Sequence, residues 1–258
     1  MADDVLFVFA HQDDEVGIST RVAYEAAAGN RVWCVYLTDG ASKVPAAVRD
    51  AESVRALARL GVDRAHVVFL ESGGERIADG TLMAHLARAR ASLGAWLAAS
   101  GVRPARAYTL DWEGGHADHD ATYLIVLAVA RDAGIDAVWT FSMYNAYRRR
   151  PGLFRIASFV PNDAQVARRR LSLGEALRSA LLIAAYPSQR RTWIGLGPGW
   201  ILRALVRREE RVRRAQSRRV AERPHDGPLL YSTLFRIDER VMMEQSAALR
   251  AELAAGEA

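Results

Sequence analysis

The chain has 258 residues, of which half are apolar and a quarter are charged, and this ordinary composition excludes a wholly disordered protein. The formal net charge of +5 is unevenly distributed, because residues 1–140 contain 13 Lys and Arg against 19 Asp and Glu, whereas residues 141–258 contain 22 against 11. The acidic and the basic part are therefore expected to have different roles.

Strands and helices are predicted to alternate along the first 141 residues. Apolar runs of strand length, rich in Val, Phe, Tyr and Trp, occur at 5–10, 31–38, 65–70, 105–110 and 136–141. Apolar residues recur at helical spacing between them, at about 17–29, 46–60, 81–99 and 118–133. The alternation predicts an α/β, Rossmann-like fold, in which a mainly parallel sheet is flanked by helices.

The pattern changes after residue 141. A strand is predicted at 153–160, a helix at 162–186, an Arg-rich helix at about 200–221, a strand at 229–237 and a closing helix at 238–255. We expect a single domain over residues 1–258, with a core at 1–141 and an Arg-rich C-terminal elaboration of helices and strands at 142–258.

The sequence does not predict a signal peptide, a membrane span or a disulfide bond. The acidic residues 1–4 lead into a short apolar run that does not resemble a signal peptide, and no apolar run approaches the ~20 residues of a membrane span. A cytoplasmic location is therefore expected. Cys34 is the only cysteine, so the chain cannot form an internal disulfide, and a buried free thiol is expected.

Polar clusters follow three of the predicted strands, at residues 11–15, 38–40 and 111–120. In a doubly wound sheet, ligands bind beyond the carboxyl ends of the strands. The first cluster contains His11, Asp13 and Asp14, and the last contains imidazoles and carboxylates within the sequence GGHADHDA at 114–121. Imidazole and carboxylate together suit a divalent metal that keeps one position open for water.

Each cluster alone has an ordinary structural interpretation. Acidic residues after a strand often cap the following helix, and a His-x-x-His pair is common by chance. Their joint occurrence at the ligand-binding edge of one sheet favours a metal site.

These motifs resemble those of the PIG-L/LmbE-like metal-dependent N-deacetylases, which remove acetyl groups from N-acetylglucosamine-type sugars. The resemblance depends on AHQDDE at 10–15, where the family usually has Pro in place of Gln12, and on HADH at 116–119. Weaker matches extend it over roughly residues 5–190 and lie at 37–40, at 49–62 and at 186–189.

The resemblance implies a role for each matching residue. His11, Asp14 and His119 would bind a catalytic Zn²⁺, or Fe²⁺ or another divalent metal, and Asp13 would be the general base. His116 would be the general acid and the stabiliser of the oxyanion, in its protonated form, with Asp118 orienting it. The substrate would be bound by Arg49 and Asp39, of which Arg49 matches the substrate-contacting arginine of the family. The residues implied as functional are His11, Asp13, Asp14, Asp39, Arg49, His116, Asp118 and His119.

Two departures from the family limit these inferences. Some members have a catalytic tyrosine two residues before the first histidine of the second motif, and Gly114 occupies that position here. The segment ESGGERIADG at 71–80 is longer than the usual loop after the third strand, which shapes the sugar pocket. The exact substrate is therefore left open.

Three functions remain compatible with the sequence. The first is metal-dependent hydrolysis of the acetamide of an N-acetyl amino sugar, either free or as its nucleotide, glycoside or lipid conjugate. The second is hydrolysis of a larger amide conjugate, and the third is non-catalytic binding of carbohydrate or nucleic acid. The 18 arginines of residues 141–220 are compatible with a solvated helix face and also suggest contact with a membrane surface or an anionic substrate, whereas nucleic acid is the less favoured partner. The sequence does not determine the oligomeric state.

Overall fold

The computed structural model describes residues 2–41, 44–71, 74–150 and 153–256, and it is built around one seven-stranded sheet. The strand order is β3-β2-β1-β4-β5-β9-β8, with β1 to β5 parallel and β8 and β9 antiparallel. A separate two-stranded ribbon pairs β6 with β7. The strands are β1 (Asp4–Phe9), β2 (Arg31–Tyr36), β3 (Val67–Phe69), β4 (Pro104–Leu110), β5 (Val138–Phe141), β6 (Tyr144–Asn145), β7 (Arg155–Ile156), β8 (Val166–Arg170) and β9 (Glu209–Arg214).

Helices cover both faces of the sheet, which confirms the predicted fold class. They are α1 (Ser19–Ala27), α2 (Ala46–Arg59), α3 (Leu86–Ser100), α4 (Ala117–Asp132), α5 (Leu173–Leu181), α6 (Arg190–Arg207), α7 (Leu230–Thr233) and α8 (Glu239–Ala255). Short 3₁₀ segments occupy Asp14–Ile18, Arg64–His66, Leu82–His85, Leu182–Ala185, Pro187–Gln189 and Ser217–Ala221.

Strand β1 lies between β2 and β4, and all six of its residues are buried. Leu6 and Val8 face a core that contains α3, α4 and α8, whereas Val5, Phe7 and Phe9 face a second core that contains α1, α2 and α6. A strand that is covered on both faces needs apolar residues without alternation, which explains the continuous run that the sequence shows here.

The Arg-rich segment differs from its prediction as a helix over about 200–221. Helix α6 ends at Arg207, Arg208 has a positive φ of 45°, and β9 begins at Glu209. Burial in β9 largely alternates, with Glu210 and Val212 buried, so a strand-like pattern lies within the arginine run. Strand β9 then pairs with both β5 and β8, and the elaboration extends the same sheet as the core. This continuity favours a single domain, which stays a prediction.

Three other predicted elements are wrong in type or extent. The predicted helix at 162–186 is replaced by strand β8, followed by α5, whose capping box joins Ser172 and Glu175. The predicted strand at 153–160 is reduced to the two residues of β7, because Ala157 has a positive φ of 43°. The predicted strand at 229–237 contains helix α7, where the Thr233 and Leu234 amides bond to carbonyls four residues back. The predicted closing helix is confirmed as α8.

No helix in the described ranges has the length and apolar character needed to cross a membrane.

Candidate metal centre and catalytic site

The loop after β1 carries the first group of ionisable side chains in a constrained backbone. Asp13 has a positive φ of 109°, which is uncommon for a residue with a Cβ atom. Its amide donates a hydrogen bond to Glu15 Oε2 at 2.9 Å, and its Oδ1 accepts one from Arg49 Nη2 at 3.2 Å. Arg49 also donates to the carbonyl of Gln12. These buried contacts hold Asp13 in a conformation of the kind that is concentrated at functional sites.

Glu15 is buried and is held by hydrogen bonds from two tyrosines. Its Oε1 accepts hydrogen bonds from the hydroxyl groups of Tyr36, at 2.6 Å, and Tyr186. The side chain is fully buried, and burial raises its pKa, although the two tyrosines oppose that shift. Glu15 therefore links the loop after β1 to β2 and to the segment before α6.

The second group of side chains lies at the start of α4. His116 is the N-cap residue, and its Nδ1 accepts a hydrogen bond from the Asp118 amide at 3.2 Å. The preceding loop passes very close to β6, since a Cβ atom on Gly115 would lie 2.1 Å from the Tyr144 carbonyl oxygen. Only glycine fits at that position without displacing the loop.

The two groups converge on one point. The ring centroids of His11, His116 and His119 lie 4.8 to 5.5 Å apart. Asp14 lies between two of these rings, with Oδ1 3.1 Å from His119 Nε2 and Oδ2 3.7 Å from His11 Nδ1. Parallel strands β1 and β4 are neighbours in the sheet, so the loops that follow them meet at its carboxyl edge, as the sequence predicts.

The converging histidines and carboxylates shift one another's pKa values. Burial disfavours charge on His11, but Asp79 and Asp118 raise its pKa well above the usual value. Burial also opposes ionisation of Asp14, yet His119 and His11 hold its pKa well below the usual range. The acidic side chains around His11 thus favour a cation at this position.

The donor set fits a divalent metal. Potential ligand atoms lie within 4.8 Å of one another in two groups, which are His11/His116/His119 and His11/Asp79/Asp118. The predicted set of His11, Asp14 and His119 is not itself one of these groups, although it shares two histidines with the first. Imidazole nitrogens with carboxylate oxygens are usual ligands of Zn²⁺ and Fe²⁺. In the described part of the chain, the buried His119 Nδ1 makes no hydrogen bond.

A cavity of about 680 Å³ opens onto this cluster. Its walls include the predicted residues His11, Asp13, Asp14, Arg49, His116 and His119. A larger cavity of about 780 Å³ lies between α3 and α4, but its lining is mainly alanine, glycine and aliphatic side chains. The first cavity is the better candidate, because it alone of these two contains the histidine cluster.

Comparison with known proteins identifies the domain that carries this site. Residues 6–130 match the family described as PIG-L: GlcNAc-PI de-N-acetylase. Residues 6–130 form a PIG-L family domain. The family match supports a hydrolase that acts on an acetamide. No curated protein sequence matches the chain.

Several solved structures share the fold of this chain. The A40926 pseudoaglycone deacetylase Dbv21 is 17% identical with a TM-score of 0.61, over 81% of this chain and 96% of that one. The zinc-inhibited form of teicoplanin deacetylase Orf2 is 14% identical with a TM-score of 0.60, over 81% of this chain and 97% of that one. The N,N'-diacetylchitobiose deacetylase from Pyrococcus horikoshii is 18% identical with a TM-score of 0.51, over 77% of this chain and 76% of that one. At these identities the likeness concerns the fold.

Three predicted site residues make contacts that differ from those expected from the family resemblance. The Asp118 carboxylate contacts His11 Nε2 at 3.0 Å instead of orienting His116. Asp39 does not line the cavity, and its Oδ1 accepts the Asp79 amide at 2.9 Å. Arg49 lines the cavity, but its Nη2 is occupied by Gln12 and Asp13. Within the described residues the buried Arg49 Nη1 has no hydrogen-bond partner.

Sequence reasoning missed Asp79, which lies in the long loop after β3. Its Oδ1 is 3.2 Å from His11 Nε2, and although burial opposes ionisation, His11 holds its pKa well below the usual range. A backbone bridge between Thr38 and Ile77 brings the loop to the site. No motif marks Asp79, because its position depends on this long-range pairing. Residues 72 and 73 of the loop lie outside the described residues.

Tyr144 is the second missed residue. It lines the cavity, and its ring centroid is 5.6 Å from that of His119. The segment is anchored by the buried Glu113, whose Oε1 accepts the amides of Met143 at 2.7 Å and Tyr144 at 2.9 Å.

Proposed function

We propose that the protein is a divalent-metal-dependent N-deacetylase, which hydrolyses the acetamide of an N-acetylated amino sugar or its conjugate and releases acetate and a free amine. The observation that carries the proposal is the convergence of His11, Asp14 and His119 beside Asp13 in an open cavity of a PIG-L domain.

His11, Asp14 and His119 would hold the metal, for which Zn²⁺ is the first candidate and Fe²⁺ the second. When bound, such an ion makes water more acidic and polarises a carbonyl group. Asp118 and Asp79 supply further negative charge next to His11. Asp39 acts in this proposal as a positioning residue for Asp79, because it accepts the amide hydrogen bond of that residue.

Asp13 is the proposed general base. Burial raises its pKa to about 7, with contributions from Asp14 and Glu15, while Arg49 and His11 lower it. A carboxylate with a pKa close to neutrality can take a proton from the attacking water and release it later. Arg49 orients this carboxylate through the 3.2 Å contact to Oδ1.

His116 is the proposed donor of a proton to the departing amine. Burial, followed by the neighbouring His11, lowers its pKa to about 4, so the ring is neutral in the resting site, whereas the sequence analysis expected its protonated form. Negative charge that develops on the tetrahedral carbon's oxygen would favour the protonated ring. His116 would therefore take up, during the reaction, the proton that Asp13 removed from the attacking water, and pass it to the amine nitrogen as the C–N bond breaks.

Tyr144 is proposed to donate a hydrogen bond to the oxyanion, a role that Gly114 cannot fill. Burial, with Asp14 and Asp13, raises the pKa of Tyr144 well above the usual value and keeps its hydroxyl protonated. The hydroxyl takes part in no hydrogen bond among the described residues.

Changing Tyr144→Phe is expected to reduce kcat by about 100-fold or more with little change in KM, because a donor to the oxyanion is lost. Steady-state kinetics on the best N-acetyl substrate will measure this effect. Tyr147→Phe is the matched control, since Tyr147 lies three residues along the chain and outside the cavity lining. A kcat equal to that of the wild type would remove Tyr144 from the mechanism.

The cavity walls favour a sugar conjugate as substrate. Polar groups of Arg49, Asp79 and Ser188 lie in the same cavity as the apolar side chains of Trp193 and Phe235. Sugar rings offer hydroxyl groups and apolar faces that match such a lining. The relatives described above as deacetylases act on pseudoaglycone, teicoplanin or diacetylchitobiose, which supports an amino-sugar conjugate here. The cytoplasm is retained as the predicted location.

Two alternatives remain from the sequence. An amidase that acts on a larger conjugate would use the same residues but release an acid larger than acetate. The arginines of β9 do not favour a non-catalytic binder of nucleic acid, because Arg211 contacts Glu209 and Arg213 contacts Asp111. Arginines that are paired within the protein are less available to phosphates.

Removing the metal tests the proposal directly. Acetate release will be measured from free, nucleotide-linked and lipid-linked N-acetyl sugars before chelation, after chelation and after addition of Zn²⁺ or Fe²⁺. We expect chelation to abolish turnover and one of the metals to restore it. Absence of acetate from every substrate, or turnover that survives complete metal removal, would reject the proposal.

A further inference from the structure

Helices α5 and α6 expose an unusual number of aliphatic side chains. Three leucines recur every four residues along α5, namely Leu173, Leu177 and Leu181, with exposed fractions of 56%, 42% and 66%. This spacing places them on one face of the helix. The neighbouring face of α5 is buried through Ala176, Ser179 and Ala180.

Helix α6 repeats this arrangement. Ile194, Leu202 and Val206 are 74%, 64% and 69% exposed, and Ile201 is 36% exposed. Its buried face is formed by Trp193, Gly197 and Trp200, and α6 packs against α5. We call the exposed set the α5–α6 aliphatic surface, which consists of Leu173, Leu177, Leu181, Ile194, Ile201, Leu202 and Val206.

Single exposed aliphatic residues are normal, but a group concentrated on two adjoining helices indicates a binding surface. The charge of these helices indicates the type of partner. Between residues 173 and 207 there are five arginines and one acid, Glu175, which is paired with Arg169. The four exposed arginines, Arg178, Arg190, Arg191 and Arg207, form no ion pair with any described residue.

An anionic lipid surface fits both properties better than a second copy of this chain. A second copy would bring the same unpaired arginines together, and like charges repel. Helices that lie on anionic membranes combine exposed aliphatic side chains with arginine in the same way.

The surface is continuous with the catalytic cavity. Arg190, Arg191, Trp193 and Leu196 belong to the first turns of α6 and line that cavity, and Phe235, 44% exposed, lines it as well. A membrane under α6 would therefore lie next to the cavity mouth.

We propose that the α5–α6 aliphatic surface docks on an anionic lipid membrane. Docking of this kind would present the cavity to an amino-sugar headgroup held in that membrane, a consequence that depends on the proposed function. The docking itself does not depend on the proposed function, because it requires neither metal nor turnover.

Vesicle co-sedimentation tests the docking. The full-length protein will be mixed with vesicles of phosphatidylcholine alone or of an equimolar mixture of phosphatidylcholine and phosphatidylglycerol. We expect binding to the mixed vesicles only, weakened by added salt. The double variant Ile194→Asp/Leu202→Asp should bind at least tenfold more weakly, because charged carboxylates would have to enter an anionic apolar interface.

Val241→Asp on α8 is the matched control, because Val241 is 42% exposed and lies outside this surface. Its binding should equal that of the wild type, and thermal unfolding will establish that all variants fold. Acetate release from a water-soluble substrate should be unchanged in Ile194→Asp/Leu202→Asp, so loss of docking and loss of catalysis are distinguished.

Three results would overturn the proposal. The first is absence of binding to the mixed vesicles, and the second is equal weakening by both variants. The third is a concentration-dependent dimer that Ile194→Asp/Leu202→Asp abolishes while vesicle binding persists, which would assign the surface to a second copy of the chain.

Discussion

Replacing Asp13 by asparagine is expected to lower kcat by about 100- to 10,000-fold, the range that a positioned general base contributes. The amide has nearly the shape of the carboxylate but cannot accept the proton of the attacking water. Asparagine also tolerates a positive φ better than most residues, so the 109° conformation of the loop should persist. Metal content measured on the purified Asp13→Asn variant should match that of the wild type.

The control for this variant is Asp163→Asn, since Asp163 is exposed and forms a surface ion pair with Arg218 far along the chain. Its kcat should stay unchanged. Full activity of Asp13→Asn would disprove the role of Asp13, whereas loss of metal together with activity would show that Asp13 belongs to the metal ligands.

The pH profile gives a second measurement on Asp13. Without a metal, burial raises the pKa of this carboxyl to about 7. A nearby divalent cation favours the carboxylate and lowers that pKa, and the base acts only above it. The acidic limb of kcat/KM in the wild type is therefore expected below pH 7.

The Arg213→Leu variant should lose about 3–5 kcal/mol of unfolding free energy, the usual cost of leaving a buried charge without its partner. Arg213 and Asp111 are 3% and 2% exposed and form an ion pair across β9 and the end of β4. Thr140 also donates to Asp111 Oδ1 at 2.9 Å. Burial already raises the pKa of Asp111, and Arg213 opposes that shift, so its removal isolates an acid in the core.

Urea unfolding will measure the change, with Arg211→Leu as the control. Arg211 lies two residues earlier on β9, and its partner Glu209 is on the same strand and partly exposed, so the control should lose about 1 kcal/mol or less. Equal stability of Arg213→Leu and Arg211→Leu would show that the buried pair does not stabilise the fold.

The sequence was most informative where local pattern and burial agree. The continuous apolar run of β1 could be recognised because a strand covered on both faces has no polar side. The residues of the two motifs follow neighbouring parallel strands, so their proximity could be predicted from the fold class. The individual roles of His11, Asp14 and His119 came from the family resemblance and remain proposals.

Other features depend on contacts that a single sequence does not encode in a recognisable form. The position of Asp79 depends on the pairing of its loop with Thr38. The arginine run resembled one helix, because arginine has a high helix propensity and masks the alternation of β9. Here the pairing with β5 and β8 outweighed local propensity.

Two buried carboxylates, Glu15 and Glu52, hold one wall of the cavity by hydrogen bonds, which has a consequence for selectivity. Glu15 accepts the Tyr186 hydroxyl, and Glu52 accepts the amide and hydroxyl of Ser188, so both ends of the turn before α6 are fastened to the core. We therefore expect this wall of the cavity to keep its position when a substrate binds. Substrates should therefore be selected in part by the shape of this wall, and a bulky acyl group in place of acetyl would have to fit against it without displacing the turn.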